Sequence, residues 1–123
     1  MKRILLVTGA SRGIGAATAL AAARDGWTVA VNYTAHAQAA EAVVKAIGDA
    51  GGTALALQAD VADEGQVLRM FERIDAELGP LSGLVNNAGV VDVSARLDEM
   101  DMARWRRMFD INVIGSLLCA REA

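Results

Sequence analysis

The sequence predicts an α/β chain built on a parallel sheet, and three observations carry that prediction. Strand-like and helix-like patterns alternate from end to end, the strand segments are short unbroken apolar runs, and no low-complexity linker divides the 123 residues. With 54% hydrophobic residues and a single proline, the chain is long enough for a real core and fits one domain at most.

The first strand is Ile4-Leu5-Leu6-Val7, a run suited to a strand covered on both faces. It leads directly into Thr8-Gly9-Ala10-Ser11-Arg12-Gly13-Ile14-Gly15, and helical periodicity begins after Gly13 in an alanine-rich segment. Asp25-Gly26 breaks that helix before a second strand, Thr28-Val29-Ala30-Val31-Asn32. A second helix puts Ala40, Val43, Val44 and Ile47 on one face and ends at Gly51 and Gly52. The third strand, near Ala54 to Gln58, runs through Ala59-Asp60-Val61 into a helix with Val67, Phe71, Ile74 and Leu78 at helical spacing, stopped by Gly79-Pro80. The fourth strand, Gly83-Leu84-Val85, opens into Asn86-Asn87-Ala88-Gly89; after a loop, one long helix is expected from about Met102 to the last residue. Right-handed crossovers and short connections make the four strands a parallel sheet with the first strand near its middle. A nucleotide crevice is then expected at the strands' carboxyl ends, where the order reverses.

The glycine-rich turn between first strand and first helix suits an anion. Without Cβ atoms, amides at a helix N-terminus can face phosphate directly, and the helix dipole adds about 0.3–1 kcal/mol. The same glycines also serve if they do no more than pack strand against helix. A phosphoryl-transfer loop is excluded, because it ends in Gly-Lys-Ser/Thr, whereas Gly15 is followed by Ala16 and Ala17 and the only lysines are Lys2 and Lys45. The spacing T-G-x-x-x-G-x-G also differs from the G-x-G-x-x-G dinucleotide fingerprint.

Composition excludes several classes of function. Fifteen acidic against twelve basic residues give a net charge of -3, and no basic run resembles a nucleic-acid or membrane-binding patch. Arg104, Arg106 and Arg107 cluster, but Asp98, Glu99, Asp101 and Asp110 surround them, which predicts a solvated helix face. The single cysteine, Cys119, sits beside Leu117 and Leu118 and reads as a small buried residue; with no disulfide framework, a cytoplasmic location is expected. No apolar stretch reaches membrane-spanning length, and Met1-Lys2-Arg3 leads into a strand instead of a signal-peptide core.

On a continuous helical projection, Asn112 shares a face with Trp105, Met108, Gly115, Ser116 and Cys119, which predicts an inward-facing amide. Such an amide needs partners. Main chain, water and ligand all remain open to it.

Thr8-Gly9-Ala10-Ser11-Arg12-Gly13-Ile14-Gly15, Asp60-Val61, Asn86-Asn87-Ala88-Gly89 and Asn112 together resemble the short-chain dehydrogenase/reductase family in order and spacing, over the whole chain. The chain is similar in particular to bacterial 3-oxoacyl-carrier-protein reductases and glucose 1-dehydrogenases. The resemblance implies a Rossmann-type, doubly wound three-layer α/β/α sheet, with residues 1–123 forming a dinucleotide-binding domain incomplete at its C-terminal end. It implies that Gly9, Gly13 and Gly15 admit the pyrophosphate alongside Ser11 and Arg12, that Ile14 anchors the helix, and that Thr8 braces the turn. Asp60 would accept a hydrogen bond from the adenine amino group while the backbone of Val61 fixes the ring. Asn86 and Asn87 would brace the central strands and line the ribose, with Ala88 and Gly89 leaving room. Asn112 would be catalytic, holding a water that links a proton relay to a lysine.

NAD-preferring members place a carboxylate at the end of the second strand, where it binds the ribose hydroxyls. Here Asn32-Tyr33-Thr34 stands in its place, so a 2′-phosphate meets no like charge and Arg12 can oppose it. NADP(H) is therefore expected over NAD(H), with Asn32, Tyr33 and Thr34 as further cofactor contacts. His36 is a further candidate to line this pocket, although a lone histidine in a first helical turn is more often surface.

The family's serine and Tyr-x-x-x-Lys pair are not among these residues: the only tyrosine, Tyr33, has Ala37 four positions on. Because the sequence stops within a helix at Arg121-Glu122-Ala123, it is expected to be the amino-terminal half of a longer oxidoreductase and inactive alone. A catalytically silent nucleotide-binding module is the alternative. Val113, Ile114, Leu117 and Leu118 are expected to cover the side of the last helix opposite Asn112 and to pack on another subunit, giving a homodimer or homotetramer. The resemblance implies a small alcohol or carbonyl substrate whose pocket forms mainly from residues after the catalytic tyrosine, so that only the loop from Val90 to Arg96 is expected to contribute to it here.

Overall fold

The computed structural model describes residues 2–123. Four strands form one all-parallel sheet in the order β3-β2-β1-β4: β1 (Ile4–Val7), β2 (Thr28–Tyr33), β3 (Ala54–Gln58) and β4 (Gly83–Val85). Val7 pairs with Val31 on one side and Val85 on the other, so β1 and β4 end level while β2 runs on to Tyr33, and their connections open on one edge. The predicted sheet, with its first strand inside, is the observed one.

Alternation along each strand supplies two cores. Ile4, Leu6, Ala30 and Leu57 face α3 (Glu64–Glu77), meeting Val67, Met70, Phe71 and Ile74 together with Cys119. Leu5, Val7, Val29 and Val31 face the other way, onto Ala19 of α1 (Gly13–Arg24) and Ala40, Val43 and Ile47 of α2 (Ala37–Asp49). Helices therefore cover both faces, which is why the strands read as continuous apolar runs.

Helix starts divide into two kinds. Asp63 caps α3 by accepting from the Gln66 amide at 3.0 Å, and Asp101 caps α4 (Met102–Phe109) by accepting from the Arg104 amide at 2.8 Å. By contrast, α1 and α2 start at Arg12 and His36 without any side-chain cap, and neither has an acidic residue in its first turn. Both uncapped starts open on the carboxyl edge of the sheet.

The expected single last helix is interrupted. After α4, a π-helical turn spans Asp110–Ile114, and α5 runs from Gly115 to Glu122. Its i→i+5 bonds turn less per residue than an α-helix, so a continuous projection misplaces the side chains around it. Two further expectations are corrected as a result. Asn112 is exposed in this chain instead of buried, while Leu118 packs on the α3-side core, with Ile111, instead of facing out. The exposed large apolar residues of this stretch are Met102 at 54%, Phe109 at 63%, Val113 and Ile114 at 43% each and Leu117 at 61%.

Arg104 is a fourth correction. Its side chain is only 15% exposed; Nη2 donates to the Val93 carbonyl at 2.5 Å, and Nε lies 3.9 Å from Asp92. It pins the loop after β4 to α4. A charge pattern alone could not foresee that, because the partner is a backbone carbonyl.

Gly115 fixes where α5 sits. A Cβ there would stand 2.7 Å from Val61 Cγ2 and 3.1 Å from the Val61 carbonyl oxygen, so Gly115→Ala is expected to destabilise the full-length protein by about 1–3 kcal/mol in urea denaturation. Burial pushes the Cys119 thiol up to about 11 from its ordinary 9.0. The folded state therefore keeps a proton that the unfolded chain releases, and that part of the stability is present below pH 9.0 and lost as the pH climbs toward about 11. Alkylation at pH 8 is expected to leave Cys119 unmodified until denaturant is added.

Candidate functional site

A cleft of about 640 Å³ lies along the carboxyl edge of the sheet. One wall is the β1–α1 loop, with Gly9, Ser11, Arg12 and Gly13; the end beyond β2 brings Tyr33, Thr34, Ala35 and His36. Asp60 and Val61 follow β3, and the stretch after β4 adds Asn87, Ala88, Gly89 and Val90. Arg107 and Ile111 complete the lining.

The loop after β1 is shaped by glycine at two positive-φ positions, Gly9 at 61° and Gly13 at 60°. Gly9 also has a neighbour to clear, since a Cβ there would meet Ala88 Cα at 2.9 Å, whereas nothing lies within 4 Å of the corresponding point at Gly13. The amides of Gly13, Ile14 and Gly15 have no acceptor among the described residues, and they stand at the uncapped start of α1. Such an end attracts anions through both the free N–H groups and the dipole.

Thr8 holds this loop against the end of β4. Its hydroxyl, 1% exposed as part of the residue, accepts from the amides of Asn87 at 3.0 Å and Ala88 at 2.9 Å and donates to the Val85 carbonyl at 3.4 Å. One donor and two acceptors are all used. Asn87 returns the bond, its Nδ2 donating to the carbonyls of Thr8 at 3.1 Å and Gly9 at 3.0 Å. Asn86 points the other way and donates to the Ser116 carbonyl at 3.1 Å, joining β4 to α5.

Asp60 has one carboxylate oxygen engaged. Its Oδ1 accepts from the Ala62 amide at 2.9 Å, and Oδ2 has no donor among the described residues. Gln66 sets the backbone of this corner, accepting from the Asp60 amide at 2.8 Å through Oε1.

Two of the sequence-derived assignments, Asn32 and Asn112, take a different form, while Gly15 and Ile14 keep free amides at the start of α1 and differ in what surrounds their Cβ positions. Asn32 is 1% exposed and lies under the cleft: its Oδ1 accepts from the Gly9 amide at 3.1 Å while Nδ2 donates to the carbonyls of Leu57 at 3.2 Å and Ala59 at 3.1 Å. It ties three strand ends together and has no hydrogen-bonding group left for a ligand. Gly15 is needed for packing, since a Cβ would sit 2.4 Å from the Gly9 carbonyl oxygen and 2.5 Å from Asn87 Nδ2. Ile14 anchors nothing within the chain, being 79% exposed. Asn112 clamps a backbone segment: Oδ1 accepts from the Val90 amide at 2.8 Å and Nδ2 donates to the Val90 carbonyl at 2.9 Å.

Ser11, Arg12, Gly13, Tyr33, Thr34, Asp60, Val61, Asn87, Ala88 and Gly89 do come together in the cleft, drawn from four separate connections. Sequence reasoning read Arg107 as part of a solvated helix face, did not single out Ile111, and named His36 as a pocket candidate while favouring surface; all three line the cleft. Ile111 adjoins the singled-out Asn112 and Arg107 precedes Ile111 by four residues; the acidic neighbours of Arg107 concealed its place. Thr8→Val removes the hydroxyl without changing the shape and leaves the Ala88 amide without its acceptor. A loss of about 1–3 kcal/mol is expected, measured as a lower denaturation midpoint with unchanged slope.

Comparison with known proteins agrees with this geometry. A family model described as short chain dehydrogenase matches residues 3–123. The oxidoreductase YgfF of Escherichia coli is 50% identical over 120 residues, covering 98% of this chain and 49% of that protein. The cis-4-hydroxycyclohexanecarboxylate dehydrogenase of Sinomonas cyclohexanicum is 43% identical over 122 residues, covering 99% and 48%. FabG of Staphylococcus aureus, a 3-oxoacyl-[acyl-carrier-protein] reductase, is 41% identical over 125 residues, covering 100% and 50%. Among solved structures, a mutant short-chain dehydrogenase/reductase of Serratia marcescens superposes with a TM-score of 0.94 at 38% identity, covering 98% of this chain and 49% of that one. The chain spans about half the length of the relatives it matches.

Proposed function

The chain belongs to the short-chain dehydrogenase/reductase family, and we propose that it is the dinucleotide-binding part of an oxidoreductase that exchanges hydride between NADP(H) and an alcohol or carbonyl compound. The observation that carries this reading is the uncapped start of α1, with three free amides above a cleft that is open at Gly13. A pyrophosphate suits that end. The free oxygen of Asp60 and the neighbouring Val61 suit the amino edge and face of an adenine, and the stretch from Asn87 to Val90 suits the ribose and the redox-active end. When bound, the nicotinamide ring supplies the position that gains or loses hydride.

The chain's own residues bind and orient. Thr8, Asn87 and Asn32 fix the loop before any ligand arrives, which reduces the ordering cost of binding. Asn112 is a positioning residue in this reading: it sets Val90 at the edge of the cleft through two hydrogen bonds, in place of the water-holding role that the resemblance implied. The proton donor and acceptor of the reaction belong to the rest of the protein, because the only tyrosine in this chain, Tyr33, lies at the β2 end of the cleft. The exposed apolar residues Phe109, Val113, Ile114 and Leu117 fit contact with a second subunit.

The choice of NADP(H) rests on the end of β2. Tyr33, Thr34, Ala35 and His36 line it without a carboxylate, and Arg12 stands on the adjoining wall. A 2′-phosphate there meets a cation and no like charge. A charge-assisted hydrogen bond contributes about 1.5–3 kcal/mol, so Arg12→Ala in the full-length protein is expected to weaken NADPH about ten- to hundredfold and leave NADH nearly unchanged. Titration of both cofactors checks this, and equal affinity for them in the parent protein would remove the preference.

A further inference from the structure

A second cation, Arg107 of α4, lines the cleft. Its place follows from the packing of α5. Gly115 seats that helix on Val61; Ile111, four residues earlier, packs on the core and lines the cleft, and Arg107 lies four residues before Ile111 on the same wall. Val61, Ile111 and Arg107 thus all line the cleft, Ile111 and Arg107 as a column one helical turn apart. Arg107 is exposed, and no ion pair engages its guanidinium among the described residues. It also borders a neighbouring cavity rimmed by Asp92, Glu99 and Asp101, yet none of these reaches ion-pair distance. Arg104, one turn earlier, is instead held by the Val93 carbonyl.

The column decides what Arg107 meets. The anion-seeking groups, Arg12 and the free amides of α1, stand on the β1–α1 side, so a phosphate has its partners there. The floor at Asp60 and Val61 suits a flat ring with a hydrogen-bond donor at its edge. A guanidinium is planar, weakly hydrated and stacks on nucleobases and aromatic faces. We propose that Arg107 stacks on the purine of the bound dinucleotide and closes the adenosine end of the cleft, which deepens the dinucleotide reading above and rests on it. Arg107 then contributes to affinity for every adenine dinucleotide alike, whereas Arg12 discriminates among them.

The test uses the full-length protein and two probes in calorimetric titration. ADP-ribose carries the purine but neither nicotinamide nor 2′-phosphate, and nicotinamide mononucleotide lacks the purine. Arg107→Met is expected to weaken ADP-ribose about three- to fivefold and leave nicotinamide mononucleotide unchanged. Arg107→Lys, which keeps the charge but loses the plane, is expected to recover only part of that loss, and neither variant changes the ratio of NADPH to NADH affinity. Arg107→Met binding ADP-ribose as the parent does, or Arg107→Lys restoring it in full, overturns the stacking role while the dinucleotide reading stands. A parent protein that binds NADPH no more than it binds ADP-ribose, and neither measurably, removes the dinucleotide reading and this inference with it.

Discussion

The hydroxyl of Thr8 is the contact on which the rest of the site depends. Buried between the ends of β1 and β4, it accepts two amides and donates to a carbonyl, and Asn87 closes the arrangement from the other side. Two parallel strands side by side have no local connection at their ends; the ladder closes with the Thr8 amide on the Val85 carbonyl at 3.1 Å, and beyond it side chains hold the ends together. Once they do, Gly9 passes against Ala88, and the start of α1 is fixed at the top of the sheet. Asn32 does the same on the opposite flank, linking Gly9 to the ends of β2 and β3.

With the loop fixed, the difference between capped and uncapped helices acquires a function. The aspartates at the starts of α3 and α4 satisfy amides locally and have no further use for an anion. At α1 the satisfying group is left to come from outside. The same economy operates at Asp60, where one oxygen maintains the turn and the other stays available. The cleft is built by completing some hydrogen-bond sets within the chain and leaving a few open in one place.

The π-helical turn positions the part of the cleft lined by Ile111. By holding five residues in a wider turn, it seats Gly115 on Val61, brings Ile111 to the core and leaves Asn112 at the surface, bonded to Val90. The stretch after β4 is attached to the helices at three points, through Asn86 to Ser116, through Asn112 to Val90 and through Arg104 to Val93. None of these bonds is an exposed ion pair of the kind that contributes little. All use main-chain groups that would otherwise need water.

Local signals were enough for much of this molecule. Apolar runs, glycine breaks and helical periodicity determined four strands, their parallel pairing and the crevice at their carboxyl ends, because each of those features acts over a few neighbouring positions; Asp60 and Asn87, which line that crevice, were singled out only through the family resemblance. Tertiary structure alone decided that Asn32 and Gly15 serve packing, that Asn112 grips Val90, and that Arg104 and Arg107, three residues apart, have different surroundings. The physical reason is common to all of them. Whether an amide or a guanidinium is spent on the chain or left for a ligand depends on which distant backbone group folding brings beside it, and neither residue type nor spacing carries that information.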